Sequence, residues 1–183
     1  HTINNSTSIL NIFKYFYTKS FLLSASVFLI TPPFTQLNTP YPATAYLKGF
    51  LNTKNISSLQ ADLGIEVTLA LFSTAGLSEL FAIAGKSDRE LSENALRIIA
   101  LKDDYIRTIE PVIHFLQGKD PTLAQQIVKR NFLPEASRFA QMDDLQWAFG
   151  AMGQQDKAKH LATMYLEDIS DLIVECADPH FGF

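Results

Sequence analysis

The chain has 183 residues, of which 47% are hydrophobic and 19% charged, with a formal net charge of −4. That size permits one or two compact units with a sizeable core, and the acidic balance argues against a broad nucleic-acid footprint, which needs clustered Lys and Arg. A single cysteine, Cys176, excludes an intrachain disulfide and suits a reducing, cytoplasmic compartment.

Residues 1–25 read as an N-terminal helical extension, with a helix from Ser8 to about Leu22 whose Ile9, Ile12, Phe13 and Phe16 share a face. A secretory reading would take Phe21 to Ile30 as the apolar region, but the preceding segment is too long and too weakly basic. A membrane span is interrupted by Lys19, Ser20, Ser24 and Ser26. The Asn-x-Ser/Thr triplets at Asn4, Asn5 and Asn55 carry no meaning in a cytosolic protein.

Val27, Phe28, Leu29 and Ile30 form a short apolar run that predicts a strand buried on both faces. Pro32 and Pro33 stop it, because proline cannot donate to a ladder. Pro42 suits the first turn of a helix from about Ala43 to Thr53, expected to bury Tyr46, Leu47, Phe50 and Leu51. The connection from Thr31 to Tyr41 is long for a strand-to-helix loop. Loops of that kind, outside the carboxyl ends of strands, are common ligand sites. Asn55 breaks the helical pattern, and Ser58-Leu59-Gln60-Ala61 predicts a second strand. Asp62 then reads as the N-cap of a helix from Leu63 to about Phe72, with Glu66 in its first turn. Strand, helix and strand over 26–75 fit one βαβ unit, with the two strands parallel and adjacent.

From 76 to 183 only helical patterns follow: Leu77–Ala84, Asp88–Leu116 broken or bent at Pro111, Pro121–Arg130, Pro134–Gln141, Asp143–Met152 and Gln155–Ala177. In the last, Leu161, Met164, Tyr165, Ile169, Leu172, Ile173 and Cys176 form an apolar stripe, with Glu167, Asp171 and Glu175 on another face. Trp147, Phe149 and Met152 read as core. The fold class is therefore α/β and helix-rich: an incomplete parallel sheet followed by a multi-helix segment. Two parallel strands alone do not make an independently stable sheet, so the unit reads as a fragment of a larger one, inviting self-association.

Several constellations have plain structural explanations. Gly85-Lys86-Ser87 resembles the tail of a phosphate-binding loop, but position 80 is leucine and the segment is helical, so Gly85 reads as a left-handed helix cap. Asp178-Pro179-His180 reads as a turn, with His180 assigned to no metal. His114 and His160 lack partners at metal spacing. Asp103-Asp104 and Asp143-Asp144 suit helix N-termini or solvated faces, and Cys176 a small buried hydrophobe.

The run Thr31-Pro32-Pro33-Phe34-Thr35-Gln36-Leu37-Asn38-Thr39-Pro40-Tyr41-Pro42, followed by Leu47-Lys48-Gly49, resembles the opening of cobalamin-dependent radical S-adenosylmethionine proteins. Gln60-Ala61-Asp62-Leu63-Gly64-Ile65-Glu66 and Asp178-Pro179-His180-Phe181-Gly182-Phe183 continue the resemblance. It is dense over 27–72 and sparse over 73–175. It implies the first βαβ part of a Rossmann-like cobalamin-binding domain, with 76–183 as a helical insertion or cap. In that family cobalamin lies on the carboxyl edge of the sheet. It faces a separate barrel that holds a four-iron cluster and cleaves S-adenosylmethionine to a radical. The resemblance places Pro33, Phe34, Thr35, Gln36, Asn38 and Tyr41 at the cofactor: Thr35, Gln36 and Asn38 as hydrogen-bonding groups, Phe34 and Tyr41 as apolar cover. The single cysteine cannot supply the three-cysteine cluster loop, so the implied partner is the remainder of the same polypeptide, and no catalytic residue is expected here. The contrasting expectation is a non-enzymatic helical protein-interaction domain, with an apolar groove between helices.

Overall fold

A computed structural model of the chain describes residues 26–32, 41–87, 90–140 and 153–182. The expected N-terminal extension, most of the 31–41 loop and the expected helix at 143–152, with Trp147, Phe149 and Met152, lie outside the described residues. The chain divides into two compact units, His1–Thr68 and Leu69–Gly182.

In the first unit, β1 (Val27–Thr31) pairs in parallel with β2 (Ser58–Asp62), in a register running from Val27 opposite Ser58 to Thr31 opposite Asp62. The crossover is α1 (Pro42–Thr53), with Pro42 in its first turn, as expected of a residue whose missing N–H costs nothing there. Asn55 ends the helix in the left-handed region at φ 54°, which asparagine tolerates better than most residues. These are the expected strands, parallel and adjacent.

Two expectations of burial fail. β1 is not buried on both faces: Phe28 and Ile30 are exposed, while Val27 and Leu29 are half-buried and Thr31 is buried. α1 buries no residue at all, and its apolar stripe points outward, with Tyr46 77% and Phe50 58% exposed and Leu47 exposed beside them. The side of α1 that meets β2 is the one bearing Thr44, Lys48 and half-buried Leu51. The Gln60 side-chain amide donates to Thr44 Oγ1 at 2.9 Å, and Lys48 donates to the Ser58 carbonyl. The reason is width. The two strands among the described residues cover too little area to shelter a twelve-residue helix and both faces of the sheet.

The division between units falls within α2 (Leu63–Leu71). In the second unit α3 (Thr74–Ala84) follows after a two-residue break, where Ser73 Oγ accepts from the Gly76 N–H at 3.0 Å. A β-carbon at Gly76 would lie 2.3 Å from the carbonyl oxygens of both Ala70 and Leu71, so the close approach there requires glycine. α4 (Glu93–Ala100) starts from Ser92, whose hydroxyl accepts from the Ala95 N–H. It stops at Leu101, and α5 (Lys102–Leu116) follows at once. The expected break at Pro111 does not occur: Pro111 lies inside α5, and the interruption falls ten residues earlier. A 3₁₀ turn, Pro121–Leu123, leads into α6 (Ala124–Val128), and α7 (Gln154–Cys176) closes the unit.

Its core is continuous. Leu77, Ile98, Ile109, Val112, Ile127, Leu161, Ile169 and Leu172 are buried, around two tyrosines. The Tyr105 and Tyr165 rings stack at 5.1 Å and 17°, and Phe81 leans on Tyr105 at 6.4 Å. The Tyr165 hydroxyl donates to the Tyr105 carbonyl at 3.0 Å and lies 3.1 Å from Thr108 Oγ1. Among the described residues no single helix is long and apolar enough to cross a membrane. α2 and α3 reach that length and apolarity only together, broken at Phe72 and Ser73.

Candidate functional site

The carboxyl ends of parallel strands are where an open α/β layer presents its ligands. Here that edge is formed by Thr31 and Asp62, opposite one another at the end of the register. Thr31 is buried, and Asp62 is already engaged: its carboxylate accepts from the Ile65 N–H at 3.1 Å, capping α2 as its sequence position predicts. The start of α1 is different. Tyr41 holds the cap position with extended backbone, provides no side-chain cap, and is 52% exposed. Thr44, one turn along, is tied to β2 by Gln60. Among the described residues the edge therefore carries the start of α1, an exposed aromatic ring, hydroxyl and amide groups, and the Asp62 carboxylate committed to α2.

Of the expected cofactor residues, Tyr41 is described, at the start of α1. Pro33, Phe34, Thr35, Gln36 and Asn38 lie outside the described residues. No cluster of three His, Cys, Asp or Glu able to hold a metal ion occurs among the described residues.

The constellations given structural explanations fall largely as expected. Gly85 ends α3, with the buried Leu80 where a phosphate loop needs glycine, though its φ of −69° is right-handed and not the left-handed cap expected. The His180 N–H donates to the Asp178 carboxylate at 2.9 Å, closing the Asp-Pro turn. His114 is exposed in the last turn of α5, and Cys176 is half-buried against the core. Glu175 is not merely solvated: its carboxylate accepts from the Ser92 N–H and hydroxyl, at 2.5 and 2.7 Å, tying the end of α7 to the start of α4.

One ionisable residue escaped the sequence reading. Asp168 on α7 is completely buried, and neither carboxylate oxygen has a hydrogen-bond partner among the described residues. The backbone amides of Ala136 and Arg138 lie near enough to favour its charge without meeting hydrogen-bond geometry. Burial pushes its carboxyl up to about 6, with Arg138 opposing the rise and Asp171 adding to it. A signal was present in the spacing. Asp168 stands three residues after Tyr165 and four before Leu172, squarely within the apolar stripe.

Comparison with protein-family models, with curated proteins and with solved structures finds no match to this chain.

Proposed function

We propose that the chain is the N-terminal cobalamin-binding portion of a radical S-adenosylmethionine enzyme, positioning cobalamin for radical or methyl-transfer chemistry carried out elsewhere in the polypeptide. The observation that carries this reading is the parallel β1–α1–β2 unit, whose crossover helix starts at Tyr41, the end of the Pro-Pro run. The rim of a corrin bears amide side chains. An edge with an exposed aromatic ring, its one carboxylate, Asp62, committed to capping α2, fits such a ligand better than it fits a phosphate, which calls for glycine-rich backbone or cations. The outward stripe of α1 supports the same reading, since in a completed domain it would pack beneath further sheet and helix.

When bound, cobalamin supplies the methyl-carrier or redox chemistry. The residues of this chain bind and orient it: Tyr41 and Phe34 cover its apolar surface, Thr35, Gln36 and Asn38 hydrogen-bond its amides, and Pro33 fixes the turn. No described residue is placed to ligate the cobalt.

The test uses the whole polypeptide, reconstituted with cobalamin, desalted and examined by visible absorption. Retained corrin is expected, and replacing Thr35, Gln36 and Asn38 together by alanine lowers it without unfolding the domain. A wild-type protein that retains no corrin overturns the assignment in favour of the helical interaction domain.

A further inference from the structure

We propose that the free edge of β1 is a docking surface for a second copy of this chain: two β1 strands pair antiparallel about a two-fold axis at Leu29, joining two sheets into one. The two edges of the sheet are unlike. In a parallel ladder a residue turns both its N–H and its C=O to one neighbour, and the next residue turns both away. The Val27 N–H bonds the Ser57 carbonyl at 3.2 Å and Val27 stands opposite Ser58. Val27, Leu29 and Thr31 therefore serve β2, and the backbone of Phe28 and Ile30 faces the other way. On β2 it is Ser58, Gln60 and Asp62 that face away from β1.

The β2 edge is guarded. Lys48 of α1 donates to the outward Ser58 carbonyl, Gln60 is tied to Thr44, and Asp62 adds a charge at the strand's end. Polar and charged side chains, lysine above all, are what discourage strand addition. The β1 edge has none of these. Val27-Phe28-Leu29-Ile30-Thr31 contains no charge, proline or glycine, and no other described residue bonds the backbone of Phe28 or Ile30. Their side chains are 38% and 42% exposed.

A second β1 fits this edge because the strand is its own complement. With Leu29 on the axis, Phe28 of one copy lies opposite Ile30 of the other, and the two exchange both backbone bonds. Each such pair sets an aromatic ring beside a β-branched side chain, a favourable cross-strand combination. The stripe of α1 adds to the same interface. Thr44 and Lys48 face β2, so Leu47 and Phe50 lie on the other flank of the helix. With the right-handed crossover general to such units, that flank looks past β1. The two-fold axis stands perpendicular to the joined sheet and brings both helices to one face, stripe toward stripe. The proposal is independent of the cofactor reading, since it leaves the carboxyl edge open.

The experiment is sedimentation of the full chain over a range of micromolar concentrations, where a reversible dimer is expected. Ile30→Pro removes an outward N–H without touching the ladder to β2, and should weaken the dimer on the order of 10- to 100-fold. Phe28→Lys, a charge on an exposed side chain, should weaken it similarly while the urea midpoint of the helical unit stays put, which keeps the test valid if the proline variant unfolds. Register is read by mild oxidation in a Cys176→Ser background. Leu29→Cys should cross-link, because residues opposite on the axis lie within disulfide reach, and Gln60→Cys on the guarded edge should not. A monomeric chain, a dimer indifferent to Phe28→Lys, or equal cross-linking at Leu29→Cys and Gln60→Cys overturns the proposal.

Discussion

At the scale of single residues, the buried side chains of the helical unit that lack a hydrogen-bond partner among the described residues are Tyr105 and Asp168. The Tyr165 hydroxyl occupies the Tyr105 carbonyl and meets Thr108 in a site closed to water. Tyr165→Phe leaves that carbonyl with one fewer donor and should destabilise the unit by about 1–2 kcal/mol, read as a lower urea midpoint with unchanged slope. Gly76 makes a sharper prediction. The carbonyls that a methyl group would strike are backbone atoms of the preceding helix, which cannot swing aside as a flexible side chain can. Gly76→Ala should therefore cost about 1–3 kcal/mol or more, although alanine is the better helix former. A variant as stable as the parent would show that the α2–α3 corner relaxes freely. Asp168 was hidden by its type: an aspartate is assigned to the solvated face by default, and only its place in the stripe argues otherwise.

At the scale of elements, what could be read from the sequence was what neighbours in sequence decide. An apolar run marked the first strand and alternation the second, Pro42 and Asp62 marked helix starts, and Asn55 marked an ending, because capping and turn chemistry act over three or four residues. What could not be read depends on partners far along the chain. The outward turn of α1 follows from the narrowness of the sheet, which no feature of Tyr46 or Phe50 reveals. The interruption at Leu101 in place of Pro111 reflects packing of two short helices on the same core, and α5 tolerates its proline because burial of Ile109, Val112 and Phe115 offsets one missing hydrogen bond. The candidate site was legible only as a loop of unusual length and composition between a strand end and a helix start. The structure bears on it through Tyr41 alone among its expected residues. Ser92 sits at a junction of elements, capping α4 while holding Glu175 of α7. Ser92→Ala should lose both contacts and about 0.5–2 kcal/mol, measured by thermal or urea unfolding. Ser92→Thr should recover most of it.

At the scale of the whole chain, the two units differ in how much they hide. In the first, the buried positions among the described residues are Thr31, Ala61, Leu63 and Gly64; in the second, buried side chains come from every helix. Stability within one polypeptide follows such differences. Amides of β1 and β2 should exchange with deuterium well before those of α5 and α7, as peptide-resolved mass spectrometry would record. Equal protection in both units would contradict this account. The stripe of α1 should also drive self-association of residues 1–183 at micromolar concentration, and Tyr46→Lys with Phe50→Lys should reduce it, followed by light scattering. A monomeric parent chain would mean that the stripe is covered within the chain itself.

The contrast between the units also sets an order in time. Ribosomes release the N-terminal residues first, and multidomain chains commonly fold in that order as they emerge. Here β1, α1 and β2 leave the exit tunnel before the helices that make the larger core, and among the described residues they bury fewer side chains, so the second unit is expected to become fixed first. Nascent chains stalled shortly after Thr68 should accordingly stay bound to chaperones, and those stalled beyond Gly182 should carry a protease-resistant C-terminal half attached to a sensitive N-terminal one.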